Sequence, residues 1–273
     1  MLKWMCMKKT LLTILVLILS IGAICGGGWY NSLHINPTDY KVEYLDCSSA
    51  LIPDNFKDVR ILYFTDLCYG TYVSEEHLNI LKDKIDHLDF DIVLFGGDMI
   101  HKDYTPVSSD VSILTSFFND INAPLGKFAV IGDYDLESES REILVKKILS
   151  DSNFEILNGA RKLYNGVSGY ISLYGYSYND DFIDNIDTEL YSIVFTHSPE
   201  LYKSLPTTVN IILAGHSHEN QVNIPFKETT YSLGYNQNMY ISGGVGLSEG
   251  PYRLFNDPQL VILKFDDEMK TGQ

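Results

Sequence analysis

Apolar positions along the chain change rhythm twice. Residues 11–25 (LLTILVLILSIGAIC) are almost continuously apolar and uncharged, with Lys8 and Lys9 just ahead of them. From Arg60 to Ser150, short apolar runs alternate with stretches in which apolar residues recur every three or four positions. Residues 60–65 (RILYFT) read as a buried strand. Ser74 is placed to cap a helix with Glu75 and Glu76 in its first turn, and Leu78, Leu81, Ile85 and Leu88 then share one face. Ile92–Phe95 is the next strand and runs into Gly96-Gly97-Asp98. Val107, Val111, Leu114, Phe118 and Ile121 mark a second amphipathic helix. Residues 128–131 form a third strand ending in Gly132-Asp133-Tyr134-Asp135, and 138–150 a third helix. The rhythm then shifts again: segments 162–164, 169–176, 191–196, 209–214, 230–233, 239–242 and 260–265 read as strands with little helix between them, several of them separated by glycine-rich turns. The order is βαβαβα followed by a strand-dominated half, with no internal repeat.

The first apolar run has its own meaning. About 20 apolar residues cross a bilayer, a length this run reaches with residues 26–30 in the interface. Lysines ahead of such a segment hold its N-terminus in the cytoplasm. The expectation is a cytoplasmic tip and signal anchor over 1–30 and one domain over 31–273, held outside the plasma membrane by a single pass. The alternative is a secreted protein, because Ala23-Ile24-Cys25 before Gly26 offers a small-residue cleavage site. A lipoprotein fits less well, since Ile24 stands where a small residue is wanted. Of the four cysteines only Cys47 and Cys68 lie beyond residue 30, too few for a disulfide framework.

Charge narrows the function classes. The chain carries 20 basic and 36 acidic residues; three of the lysines (Lys3, Lys8, Lys9) lie in the first 30 positions, which hold no acid. The remaining domain therefore sets 17 basic against 36 acidic residues, a net −19. That excludes nucleic acid as a partner, because phosphate backbones need a basic face. A hydrophobic fraction of 45% and an aromatic fraction of 12% exclude a mostly disordered chain.

Polar residues gather where the apolar strands stop. Asp66 and Cys68 follow the first strand, Asp98 the second, and Asp133, Tyr134 and Asp135 the third; His197 follows SIVFT, and His216 and His218 follow IILAG. In open α/β sheets ligands sit at that edge. One aspartate at a strand end is ordinarily a turn residue or a helix cap; this many exits carrying Asp, His or Cys point to a shared site. Carboxylates mixed with imidazoles suit Mn, Fe or Zn rather than Ca. His34, His77, His87 and His101 fall outside these motifs; His77 and His87 read as solvated helix positions and His101 as a neighbour of the site.

The order of these stretches resembles the calcineurin-like metallophosphoesterase superfamily, and the run 240–248 (YISGGVGLS) together with the anchor resembles its membrane-anchored bacterial branch. The matching pieces are Thr65-Asp66-Leu67-Cys68, Gly96-Gly97-Asp98, Gly132-Asp133-Tyr134-Asp135, Thr196-His197-Ser198-Pro199 and Gly215-His216-Ser217-His218, within a resemblance over roughly residues 40–265. The resemblance implies an α/β fold in which a two-sheet β-sandwich is flanked by helices. It also implies one or two divalent ions. Asp98 would bridge them, with Asp66, Cys68 and His218 on one ion and Asp133, His197 and His216 on the other. An activated water would attack phosphorus in line, with Tyr134 and His216 as the catalytic side chains around the phosphoryl group.

Three positions depart from the family pattern. Cys68 and Tyr134 stand where it has histidines, and Asp133 stands where it has asparagine. Thiolate and carboxylate can both ligate metal, but each added negative charge lowers the site's pull on phosphate. A tyrosine hydroxyl, with a reference pKa of about 10, is a poor acid near neutral pH. Two classes therefore stay open: an extracytoplasmic metal-dependent phosphoesterase, or a degenerate relative that keeps the fold to bind a metal, ligand or partner. The resemblance to the tethered branch implies a membrane-proximal lipid or nucleotide-sugar phosphoester as substrate.

Overall fold

A computed structural model describes residues 2–166, 169–181, 185–216, 221–223 and 231–266. Helix α1 (Leu2–His34) leads into two six-stranded sheets. Across the first, the order is β1 (Lys41–Ser48), β12 (Gln259–Asp266), β2 (Arg60–Phe64), β3 (Ile92–Phe95), β4 (Gly126–Ala129) and β5 (Glu155–Ile156). Strands β2 to β5 are parallel, whereas β1 and β12 run together in the opposite direction. Across the second, the order is β10 (Gly234–Asn236), β11 (Met239–Ile241), β9 (Ile211–Ala214), β8 (Ser192–Thr196), β7 (Tyr170–Tyr176) and β6 (Gly159–Tyr164). Here β11, β9, β8 and β7 are parallel, and the edge strands β10 and β6 are antiparallel to their neighbours.

The continuous apolar strands of the first sheet make sense because both of its faces are covered. Ile61 and Tyr63, and Ile92 and Leu94, pack inward against Ile171, Leu173, Ile193, Phe195 and Leu213 of the second sheet. The intervening Leu62, Phe64, Val93 and Phe95 pack outward under α2 (Glu75–Asp86), α3 (Ser108–Asn119) and α4 (Glu139–Asp151). The outer face of the second sheet, with Tyr174, Tyr176, Val194 and Ile212, meets Leu201 and Tyr202 of the short helix Pro199–Ser204. The molecule is thus the expected two-sheet sandwich flanked by helices.

Local signals place the helices well. Leu78, Leu81 and Ile85 are the buried face of α2, and the extended Ser74 begins it, its N–H donating to the His77 ring at 3.3 Å. Ser138 caps α4, accepting the Arg141 N–H at 3.3 Å. Val107 departs from its expected place: it is the extended residue before α3, 59% exposed, while Phe117 joins the buried face. The strand expected at 128–131 is shifted to β4, and within 231–233 there is no strand; β10 follows instead. Cys47 and Cys68 are buried and not joined to each other.

Among the described residues one helix is long and apolar enough to cross a membrane: within Leu11–Thr38 its most apolar 18-residue window has a mean hydropathy of 2.4 and is wholly unburied.

Candidate metal centre

Strands β2, β3 and β4 release Asp66, Asp98 and Asp133 at one edge of the sandwich, and β8 and β9 release His197 and His216 there. Three of these exits turn through the left-handed region: φ is +57° at Asp66, +49° at Cys68, +56° at Asp98 and +62° at His216. Such conformations cost about 1–2 kcal/mol each for a non-glycine residue. Cross-loop hydrogen bonds hold them: Asp66 N–H to Gly97 O (3.0 Å), Cys68 N–H to Asp98 O (2.9 Å) and Gly215 N–H to His197 O (3.1 Å).

The result is a convergent donor set. One ligand atom from each of Asp98, Asp133, His197 and His216 lies within 4.8 Å of all the others. Asp133 Oδ1 is 2.9 Å from His197 Nε2 and 2.8 Å from His216 Nδ1, and the two ring nitrogens are 3.2 Å apart. His197 Nε2 also lies 3.5 Å from Asp98 Oδ2. His197 Nδ1 sits 2.8 Å from the Gly96 carbonyl, which can only accept, so Nδ1 carries the proton there. That second bond is how metal-ligating histidines are oriented, with the other nitrogen's lone pair facing the ion. Two imidazoles and two carboxylates at this separation fit a divalent cation of the Mn, Fe or Zn kind.

Without a cation the cluster holds protons instead. Burial works against a charged His197, but Asp98 and Asp133 outweigh it and push its pKa up to about 10. Burial raises Asp98 to about 6 although His197 pulls the other way. For Asp133, hydrogen bonds from His197 and His216 overcome burial and hold it below the ordinary carboxylate range.

Asp135, fully buried, positions this set. Its carboxylate accepts the backbone N–H groups of Asp98 (2.9 Å), Met99 (2.9 Å) and Gly132 (3.2 Å). Gly132 lies so close beneath Asp98 that a Cβ there would overlap both the Asp98 carboxylate and its backbone nitrogen. Gly132→Ala is therefore expected to displace Asp98 and lower metal affinity by about 10–100-fold, read by titrating the chelator-treated variant with zinc.

The other expected ligands are placed differently. Asp66 and Cys68 lie outside the group of four. The Asp66 carboxylate accepts the His216 backbone N–H, 3.2 and 3.3 Å from its two oxygens. Cys68 is fully enclosed; burial, then Asp98, Asp66 and Asp135, push its thiol well up, so it is neutral in the metal-free chain. His218 lies outside the described residues. Tyr134 donates its backbone N–H to Asp98 Oδ1 at 3.0 Å. Burial, then Cys68 and Asp98, raise its hydroxyl far above the ordinary tyrosine value, so it stays protonated.

Several neighbours carried no motif in the sequence. The Tyr178 ring stands 5.1 Å from that of His216 and 6.0 Å from that of His197. Lys102 Nζ lies 5.5 Å over the Tyr134 ring, and the His101 ring is 6.2 Å from it. Arg141 ties the Tyr134 carbonyl (3.1 Å) to those of Lys102 (3.1 Å) and Tyr104 (2.8 Å). The buried Arg253 donates from Nη2 to the carbonyls of Gly243, Gly244 and Gly246 at 3.0, 3.0 and 2.7 Å. Burial lowers its pKa to about 10, opposed by Tyr40, Asp66 and Cys68.

Residues 59–220 match the calcineurin-like phosphoesterase family. The chain belongs to that family. It is accordingly a metallophosphoesterase, a hydrolase of ester bonds from a family that uses divalent metals. It is 26% identical to the metallophosphoesterase YkuE of Bacillus subtilis, over 89% of this chain and 92% of that protein. It is 24% identical to the phosphodiesterase YaeI of Escherichia coli, over 79% and 85%. It is 21% identical to the UDP-2,3-diacylglucosamine pyrophosphatase LpxG of Chlamydia muridarum, over 72% and 75%. In this metallophosphoesterase, Asp98, Asp133, His197 and His216 form the cluster able to hold an ion.

Proposed function

We propose that this chain is an extracytoplasmic, metal-dependent phosphoesterase that hydrolyses a phosphomono- or diester, tethered by residues 1–30 with residues 31–273 as its catalytic domain. The convergence of Asp98, Asp133, His197 and His216 within 4.8 Å carries the reading. These four residues would hold one ion; Asp66, Cys68 and His218, with Asp98 shared, would hold a second. A bound dication polarises the phosphoryl oxygen and lowers the pKa of water toward neutrality. Gly96, through the 2.8 Å bond to Nδ1, keeps the His197 lone pair aimed into the site. Tyr134, protonated beside Asp98, offers a hydrogen bond to the phosphoryl or leaving oxygen.

The alternative, a module that binds without turnover, draws on Cys68: as a buried neutral thiol it must lose its proton before it can ligate. The apolar helix α1 and the lipid-linked substrate in the name of LpxG support a membrane-proximal lipid or nucleotide-sugar phosphoester. Purified full-length protein loaded with manganese or zinc is expected to hydrolyse para-nitrophenyl phosphate or its bis ester, with at least one ion per chain by elemental analysis. Absence of turnover with every divalent metal, in a protein that binds them, would leave the binding module.

A further inference from the structure

The metal cluster and the apolar helix meet at one edge of the fold. Because β1 and β12 run opposite to β2, the segments that precede them, 35–40 and 243–258, lie where β2, β3 and β4 release Asp66, Asp98 and Asp133. The chain leaving α1 therefore arrives on the catalytic edge, and it is fastened there. Arg253 N–H donates to Ser32 O at 3.0 Å, Asn36 Nδ2 donates to Arg253 O at 3.1 Å, and Ser32 is 2% exposed. The Arg253 guanidinium holds the Gly243, Gly244 and Gly246 carbonyls. Val245 N–H and Gly246 N–H in turn donate to Thr65 O (3.0 Å) and Asp66 O (2.8 Å). The end of α1, Arg253 and the Asp66 turn are thus one hydrogen-bonded unit.

Large apolar side chains stand open around this junction: Trp29 (64% exposed), Tyr30 (59%), Ile35 (48%) and Phe255 (68%). Phe255 adopts φ +56°, a costly conformation for an aromatic residue, while its ring is left in the open. Tryptophan and tyrosine favour the membrane–water interface, where an apolar body and a polar tip are both accommodated. A domain with net charge −19 is repelled by anionic surfaces, which favours a zwitterionic headgroup layer.

We propose that the catalytic edge faces the bilayer, with Ile35 and Phe255 seated in its interface beside Trp29 and Tyr30. This rests on the reading of α1 as a membrane anchor. It places the metal-ligand loops over the headgroups, so a membrane-borne phosphoester meets them without leaving the surface.

Tryptophan quenching tests the orientation. The full chain is reconstituted in phosphatidylcholine vesicles whose acyl chains carry bromine near the headgroup. Its native tryptophans are Trp4 and Trp29. Trp4→Phe leaves Trp29 as reporter, and Phe255→Trp or Tyr164→Trp in the Trp4→Phe/Trp29→Phe background reports on either edge. Tyr164, 56% exposed, ends β6 at the opposite edge, paired with Tyr170 at the start of β7. Trp29 and the Phe255→Trp reporter are expected to be quenched severalfold more than the Tyr164→Trp reporter. A Phe255→Trp reporter quenched no more than the Tyr164→Trp reporter, with Trp29 quenched, overturns the orientation and leaves the anchor standing. An unquenched Trp29 overturns the anchor, and the orientation with it.

Discussion

Replacing His216 by alanine is expected to strip the bound divalent ion and to lower phosphoester hydrolysis by on the order of 10³. The imidazole supplies Nδ1 at 2.8 Å from Asp133 Oδ1 and 3.2 Å from His197 Nε2, so its loss takes one of four donors from the cluster. Its backbone N–H, which donates to Asp66, survives the substitution. The side chain is 29% exposed and lies at the site rather than in a packed core. The fold should therefore persist, with an unchanged melting temperature in chelator-treated protein, while the metal-dependent rise in that temperature shrinks. Elemental analysis and initial rates with bis-para-nitrophenyl phosphate read the two effects separately. Turnover that continues at the parent rate would place the chemistry elsewhere and sink the enzyme reading.

The site was legible because its residues are punctuation. Each apolar strand stops at a glycine, Asp or His, and covered strands of 4–5 residues such as β2, β3 and β8 leave little freedom in where they end. Parallel strands then deliver those ends to one edge, which is why strand ends alone group Asp98, Asp133, His197 and His216. Strand β1 was not legible, since as an edge strand it mixes exposed Lys41, Glu43, Tyr44 and Asp46 with buried Leu45 and Cys47. Arg253 was invisible for a different reason. Its partners are carbonyls of Gly243, Gly244 and Gly246, and a backbone acceptor has no signature in sequence. Tyr178 carries no motif; it lies just beyond the end of β7, where its ring comes to 5.1 Å from that of His216. Asp135 stands in the sequence among the strand-end acids of the site, and only the three N–H groups it accepts reveal it as the support of Asp98.

Tyr134→His is expected to raise kcat for alkyl phosphoesters by on the order of 10²–10⁴ while leaving para-nitrophenyl esters within a few-fold of the parent. The asymmetry follows from the leaving group. Para-nitrophenolate departs without a proton, whereas an alkoxide needs one in the transition state. Tyr134 holds its proton too tightly to supply it, because burial and the nearby Cys68 and Asp98 oppose a phenolate. An imidazole titrates near neutral pH and can both give and regain a proton there. The backbone bond from residue 134 to Asp98 Oδ1 does not depend on the side chain, so the metal cluster should be undisturbed and metal content unchanged. Cys68→His supplies the complementary test, since a neutral imidazole ligates without first losing a buried proton: it should raise the number of bound ions rather than the leaving-group sensitivity. If Tyr134→His instead lowers turnover on every ester, the tyrosine contributes to binding through its ring, which stands under Lys102 at 5.5 Å and beside His101 at 6.2 Å. Gains equal on alkyl and aryl esters would place the slow step away from leaving-group protonation and remove the acid–base argument for position 134.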